Sequence, residues 1–347
     1  MYGKRDIVDM HCDTIAGIEA ARRVKGMLDC CLAENIGHVD VKRMRESGYL
    51  LQNFALFVNM GTCDEPWEQW KRLIKVYEEE LTANNAWLAP VFFFGDIEKN
   101  RKAGKMSSLL TVEEGGICGG KMERLHEFFE KGVRMVTLTW NYPNELGYPN
   151  LDTERGKAAK KDAESALRYL NTPDEKNGLT NRGQEFVEEM ERLGMIPDVS
   201  HLSDAGFWDV LRVARKPFVA SHSNARSICP CVRNLSDEMI RGLAEKGGCM
   251  GLNFCADFLA QKPAGETYGG TIEDIVRHAQ HIINVGGVEV LGLGSDFDGI
   301  PTHEELQGAQ GMERLADALS KSGLHEAEVD KVFSGNVLRV YKDCLPS

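Results

Sequence analysis

Six side chains of metal-ligating or proton-carrying type stand where short apolar runs end: His11, Asp13, Glu114, His201, His222 and Asp296. In His11-Cys12-Asp13 the histidine and the aspartate are two residues apart, so on a strand both face one way while Cys12 turns to the other. A neutral imidazole and a carboxylate on one face can bind a borderline cation such as zinc. Taken alone, such a pair is more often a hydrogen-bonded pair or a capped turn. Its weight comes from the recurrence of ligand types at the ends of other apolar runs.

Three histidines and three carboxylates brought together suit two divalent cations about 3.5–4 Å apart, a centre that polarises a carbonyl and yields hydroxide near neutral pH. Glu114 is the natural bridge, because a carboxylate offers two oxygens. Its neighbour Glu113 faces the opposite way on a strand and reads as a supporting or solvent residue. Asp298 competes with Asp296, and spacing alone does not separate them. The other histidines, His38, His126, His278, His281, His303 and His325, fall in loops or helices and read as ordinary surface or core residues.

What must position these groups is a series of alternating elements. Strand candidates lie at residues 6–10, 50–58, 107–112, 135–139, 195–199, 217–221, 249–253 and 288–292. Helical patterns occupy 14–25, 65–84, 121–131, 180–193 (opened by Thr180 as N-cap), 204–214, 237–246, 271–285 and 311–345. Residues 87–94 are ambiguous between a strand and a buried turn. Eight strands alternating with helices predict an α/β protein, a single (β/α)₈ TIM-type barrel spanning 1–347, in which the carboxyl ends of the strands converge on one face. A doubly wound open sheet is the competing fold, but no Gly-x-Gly-x-x-Gly follows any strand. The polar stretch 141–178, with a charged helical patch at 156–170, is long enough to be a lid inserted into the barrel.

A 347-residue chain with 42% hydrophobic and 27% charged residues has the make-up of a soluble globular protein. The net charge of −12 disfavours nucleic acid and anionic membranes as partners. No apolar run approaches the ~20 residues of a membrane span. The first six residues run into the first strand with no apolar leader segment, so a chain without a signal peptide is expected. Ten scattered cysteines fit a reduced, cytoplasmic setting. Cys229-Pro230-Cys231 lacks the two-residue spacer of a zinc knuckle and reads as structural.

Six stretches in register, His11-Cys12-Asp13-Thr14, Val112-Glu113-Glu114-Gly115-Gly116, Asp198-Val199-Ser200-His201, Ala220-Ser221-His222-Ser223, Val232-Arg233-Asn234 and Gly294-Ser295-Asp296-Phe297-Asp298-Gly299, resemble the membrane (renal) dipeptidase family over about residues 6–342. The resemblance implies a barrel with two zinc ions per chain that cleaves dipeptides, often with a D-residue at the C-terminal position. By position it assigns His11 and Asp13 to one zinc, His201 and His222 to the other, and Glu114 to the bridge. Asp296 matches the proton-transfer carboxylate of a mechanism in which a bridging hydroxide attacks the peptide carbonyl, and Arg233 matches the guanidinium that holds the substrate carboxylate. A homodimer is common in the family and is a further expectation.

Two departures bear on substrate handling. Where many members read Leu-Thr-His, this chain reads Leu138-Thr139-Trp140-Asn141, replacing a substrate-contacting histidine. Trp140 offers only an indole N–H donor, and Asn141 or Asn144 is a partial substitute. Cys255 stands where some relatives carry a tyrosine that touches the substrate carboxylate. Trp140, Asn141 and Cys255 are therefore expected, with Arg233, to line the substrate site. The alternative within hydrolases is an amidohydrolase acting on another small amide or lactam. A metal-free glycosidase using Glu114 and Asp296 leaves three strand-end histidines without a role, and a non-catalytic binding protein would be favoured only by a lost ligand.

Overall fold

The computed structural model describes residues 4–159, 161–260 and 270–347. Met1 to Gly3, position 160 of the helical patch and residues 261–269 lie outside the described residues. The strands are β1 (Ile7–Asp9), β2 (Tyr49–Phe57), β3 (Leu88–Pro90), β4 (Met106–Glu113), β5 (Val133–Thr137), β6 (Ile196–Asp198), β7 (Val219–Ala220), β8 (Cys249–Leu252) and β9 (Leu291–Leu293). All pairings between them are parallel, and the ring runs β1-β2-β4-β5-β6-β7-β8-β9 before Asp9 of β1 meets Leu293 of β9. This is a closed eight-stranded barrel wrapped by helices, as the alternation predicts. The ambiguous segment 87–94 supplies β3, which pairs only with Met106–Ser108 at the start of β4.

Alternation along the strands sorts the core into two parts. Val8, Met10, Leu51, Leu109, Met135, Ile196, Val219 and Cys249, drawn from strands all round the ring, pack together inside the barrel. Val337, Val340, Tyr341 and Cys344, on one face of the C-terminal helix Asn336–Cys344, close the base of that cluster. Residues of opposite parity, such as Leu110, Val112 and Val136, face the surrounding helices. The apolar filling takes the lower half of the barrel and leaves the carboxyl ends of the strands to polar side chains.

Differences from the expected elements are local. The eighth barrel strand is Leu291–Leu293, because Gly287 adopts φ +83° at a helix end and Val288–Val290 forms a single 3₁₀ turn before the strand begins. The expected helix over 311–345 is broken into Met312–Lys321, Glu326–Asp330 and Asn336–Cys344, with Gly323 at φ +112° ending the first piece. Two helices, Val41–Ser47 and Phe94–Lys102, stand where no helix was expected; the first starts where Asp40 accepts a hydrogen bond from Arg43 N at 2.8 Å. Thr180 does cap its helix, accepting from Gly183 N at 3.0 Å.

The segment 141–178 carries two short helices, Thr153–Ala159 and Ala163–Asn171. The buried Asn150 ties it to the barrel: its N–H donates to His201 O (2.9 Å) and its amide donates to Asp204 Oδ1 (2.8 Å) and Val232 O (3.0 Å).

Tyr341 joins the two ends of the chain's core, since its hydroxyl, buried under the barrel, donates to Asn53 Oδ1 of β2 at 2.9 Å. Tyr341→Ala is expected to lower the unfolding free energy by roughly 3–5 kcal/mol through the cavity it leaves. Tyr341→Phe should cost about 1–3 kcal/mol for the stranded amide oxygen. Urea denaturation of both variants checks this; equal losses would show that packing contributes nothing beyond the hydrogen bond.

Candidate metal centre

At the carboxyl end of β1 the regular alternation breaks: Met10 packs into the barrel interior and Cys12 packs outward toward the helices. The break brings His11 over the mouth of the barrel with Asp13 beside it. His11 Nε2 lies 3.5 Å from Asp13 Oδ2, 3.4 Å from Glu113 Oε2 and 3.9 Å from Asp296 Oδ1. His201 and His222 reach the same place from β6 and β7, with Nε2 atoms 3.0 and 3.5 Å from Glu113 Oε1. All these residues are buried.

The expected bridge, Glu114, is corrected by this geometry. On β4, Leu110 and Val112 face the helices and Leu109 faces the interior, so Thr111 and Glu113 also point inward. The strand ends at Glu113, and Glu114 turns away with φ +90°. Its carboxylate is already saturated: Oε1 accepts from Gly116 N (2.7 Å) and Asn144 Nδ2 (2.5 Å), and Oε2 accepts from Trp140 N (2.9 Å). Burial pushes its pKa up to about 7 against the pull of those donors. Glu114 fastens the loop after β5; Glu113 occupies the centre of the cluster. The missed signal is the parity of the apolar residues along β4, counted back from the strand's true last residue.

Asp298 is also resolved. Its Oδ1 accepts from His38 N and its Oδ2 from Thr14 Oγ1, both at 2.6 Å, so it braces the loop around His38. Asp296 is the one that faces the cluster. Glu114, His201, Asp296 and Asp298 are the non-glycine residues with positive φ among those described, at 90°, 71°, 63° and 68°. Such conformations cost of order 1–3 kcal/mol each and persist where surrounding structure over-determines them. Gly299 is required beside them, because a Cβ there would run into Asp13 Oδ2 and Asp296 Oδ1.

The electrostatics favour a cation. Burial lowers the pKa of His222 and that of His201, the latter to about 4, with further lowering from the charges of His11 and Arg233 respectively. His201 Nδ1 faces Asn141 Oδ1 at 2.9 Å, and His222 Nδ1 faces Ser221 Oγ at 2.7 Å, whose own proton goes to Asp198 Oδ2 at 2.6 Å. Both imidazoles therefore carry their proton on Nδ1, and their Nε2 lone pairs confront each other at 3.0 Å beside a carboxylate oxygen. Burial drives His11 toward its neutral form, but the charges of Glu113 and Asp13 outweigh it and raise its pKa well above the ordinary value. Glu113 is held well below the carboxylate range, chiefly because the charge of His11 overcomes the burial penalty. Burial raises Asp13, and raises Asp296 to about 7. His11 Nε2 and Asp13 Oδ1 are buried without any hydrogen-bond partner. His11, Glu113 and His222 form one group of converging ligand atoms, and His11, Asp13 and Asp296 a second. This donor set of imidazole nitrogens and carboxylate oxygens fits borderline divalent metals.

Around the centre stand the expected substrate residues. Arg233 is buried, with only long contacts from Nη1 to Ser223 Oγ (3.4 Å) and Nη2 to His222 O (3.2 Å), and its Nε has no partner. Asn253 donates to Asp296 Oδ2 at 2.9 Å. The Trp140 ring lies 4.8 Å from that of Phe57 and 6.1 Å from that of His201. Asn141 is committed through its oxygen to His201, and Asn144 through its amide to Glu114 and Leu138 O, so Asn144 has no donor left for a substrate. Cys255 is half-buried near Asp296 and Arg233, its thiol pushed up to about 12, chiefly by burial.

A parallel barrel with histidines and carboxylates gathered at its mouth defines a metal-dependent hydrolase. The chain matches the membrane dipeptidase family, peptidase family M19, over residues 2–344, and belongs to it. It is a metallodipeptidase, as the resemblance of its motifs implied. An uncharacterized dipeptidase of Schizosaccharomyces pombe is 29% identical over 356 residues, covering 97% of this chain and 80% of its own length. Dipeptidase tcpJ of Claviceps purpurea is 29% identical over 325 residues, with coverages of 88% and 69%. The solved structure of a metallo peptidase from Rhodobacter sphaeroides, liganded with a phosphinate mimic of the dipeptide L-Ala-D-Ala, matches the fold with a TM-score of 0.84 at 24% identity, over 99% of this chain and all of that one. Among the described residues no helix is long and apolar enough to cross a membrane.

The division of labour between the adjacent glutamates is testable. Glu113→Gln should weaken metal binding beyond the roughly 10–100-fold typical of losing an outer partner. Glu114→Gln should keep the metal. Elemental analysis after dialysis against a weak chelator reads both, and the reverse pattern would restore Glu114 to the centre.

Proposed function

We propose that the centre holds two zinc ions, one on His11 and Asp13 and one on His201 and His222, with Glu113 shared between them. The observation that carries this reading is the two-sidedness of Glu113: Oε2 is turned toward His11 at 3.4 Å, and Oε1 toward His201 at 3.0 Å and His222 at 3.5 Å. When bound, such ions supply Lewis-acid polarisation of the peptide carbonyl and lower the pKa of the attacking water.

The remaining work falls to the chain's own residues. Asp296 is the proton carrier: buried, with its pKa raised to about 7 and one oxygen held by Asn253, it can take a proton at Oδ1 and return it to the leaving amine. Arg233 holds the C-terminal carboxylate of the dipeptide; its guanidinium is buried with unsatisfied donors, the state expected of a clamp awaiting an anion. Trp140, beside Phe57, forms an apolar wall where relatives carry a histidine. Asn141 serves His201 through its oxygen and leaves its amide hydrogens for the substrate. Cys255 borders the carboxylate side. The segment 141–178 shields the site, a role supported by the Asn150 bonds to His201 O and Val232 O.

L-D dipeptides belong in the proposed substrate range, supported by the phosphinate mimic of L-Ala-D-Ala bound to the Rhodobacter relative. A reducing, cytoplasmic setting is supported by free, buried thiols such as Cys12, Cys118, Cys249 and Cys344. A homodimer remains part of the proposal by family likeness alone. The amidohydrolase alternative draws no separate support from the site.

Two variants test the roles. Asp296→Asn should keep the wild-type metal content while kcat falls by about 10²–10⁴-fold; loss of metal along with turnover would make Asp296 a ligand instead. Arg233→Lys should raise KM by roughly 10–100-fold, the equivalent of a charge-assisted hydrogen bond, with a smaller change in kcat. Steady-state kinetics on L-Ala-L-Ala and L-Ala-D-Ala give both numbers, and an unchanged KM would put the substrate carboxylate elsewhere.

A further inference from the structure

Two strand-end aspartates make the same set of bonds on opposite sides of the barrel. Asp198, at the end of β6, accepts through Oδ1 from Ser200 N (2.9 Å) and Ser221 N (2.8 Å), and through Oδ2 from Ser221 Oγ (2.6 Å). Asp9, at the end of β1, accepts through Oδ1 from His11 N (3.3 Å) and Ser295 N (2.9 Å), and through Oδ2 from Ser295 Oγ (2.6 Å). Each carboxylate is fully buried and grips the serine at the end of the neighbouring strand. In each case the next residue belongs to the centre: His222 follows Ser221, and Asp296 follows Ser295.

The two clamps differ in where the serine hydroxyl oxygen leads. Ser221 Oγ lies 2.7 Å from His222 Nδ1, whereas Ser295 Oγ lies 3.2 Å from the carbonyl oxygen of His11. Because the single Ser221 proton goes to Asp198, the Ser221 oxygen can only accept from His222, which fixes the imidazole proton on Nδ1 and leaves Nε2 bare. We propose that Asp198, acting through Ser221, is a positioning residue that sets the tautomer of His222 and so makes it a metal ligand. Asp9 is its structural twin without that electronic role. The inference rests on the proposed metal centre only in taking His222 as a ligand.

The substitution Asp198→Asn separates the two roles. The oxygen of the new amide must stay where two backbone N–H groups, those of Ser200 and Ser221, point at it. Its NH₂ is thereby forced onto Ser221 Oγ and Thr137 Oγ1, which both donate to Asp198 Oδ2 at 2.6 Å in the wild type. Ser221 then accepts from the amide and gives its own proton to His222 Nδ1, which moves the imidazole proton to Nε2 and aims it at the metal position. Asp9→Asn undergoes the same exchange, but the Ser295 proton finds the His11 carbonyl, so no ligand nitrogen changes. The two variants match in chemistry and burial; they differ in this outcome and in the Thr137 hydroxyl, which Asp198 alone engages.

The test is long-range proton–nitrogen NMR of ¹⁵N-histidine-labelled, metal-free protein, paired with zinc titration against a competing chelator. Expected are an Nδ1–H His222 in wild type and Asp9→Asn and an Nε2–H His222 in Asp198→Asn. In the titration, the free zinc needed to half-fill the weakened position should rise roughly 10–100-fold in Asp198→Asn alone. An unchanged His222 tautomer in Asp198→Asn, or equal losses of zinc affinity in the two variants, would overturn the inference. A tautomer switch in a protein whose wild type binds fewer than two zinc ions would support the inference while contradicting the binuclear reading. Thermal unfolding of the metal-free variants shows whether both remain folded, and Ser221→Ala, which removes the relay without adding a donor to Asp198, gives a second measure of zinc affinity, expected to fall.

Discussion

Two buried imidazole lone pairs facing each other 3.0 Å apart beside a carboxylate oxygen form an arrangement that favours a positive charge. In the metal-free chain that charge comes from His11, which burial alone would leave neutral. Everything around the cluster serves to keep it from relaxing. Asn141 and Ser221 hold the far nitrogens of His201 and His222, so neither ring can turn its proton inward without losing a bond. Left-handed backbone at His201 and Asp296 aims side chains that ordinary strand geometry would point elsewhere. The apolar lower half of the barrel, plugged by the C-terminal helix, denies the polar upper half an alternative packing.

The loop after β5 is where this member departs from the histidine-bearing pattern. Glu114 accepts the Trp140 N–H and the Asn144 amide, which fixes the loop, and the loop in turn delivers Asn141 to His201. A glutamate one residue beyond the central carboxylate thus orients an imidazole on a different strand. Trp140 is presented beside Phe57 as part of the same arrangement, so its placement and the bracing of His201 share one support.

Much of this was legible in the chain itself. Barrel closure follows from eight apolar runs alternating with helical patterns, and convergence of strand ends follows from closure, so the gathering of His11, Asp13, His201 and His222 at one end of the barrel was legible from position. Glu113 was missed because alternation was counted from the wrong end residue: the strand stops at Glu113, and the positive φ of Glu114 throws its side chain to the other side. The choice between Asp296 and Asp298 was closed to sequence reasoning for a related reason, since both adopt positive φ and only the Thr14 and His38 partners occupy Asp298. Asp9 and Asp198 were overlooked because a buried strand-end aspartate shows no periodicity; their signal lies in the repeated placement of an aspartate two or three residues before a histidine of the cluster, with a serine before another residue of the cluster.

The central claim is that Glu113 lies between two metal positions. Anomalous diffraction at the zinc edge from crystals of the zinc-loaded protein tests it most directly. Two peaks are predicted, one beside His11 and Asp13 and the other beside His201 and His222, each about 2.0–2.2 Å from a Glu113 oxygen. A single peak, or a pair flanking Glu114, would contradict it.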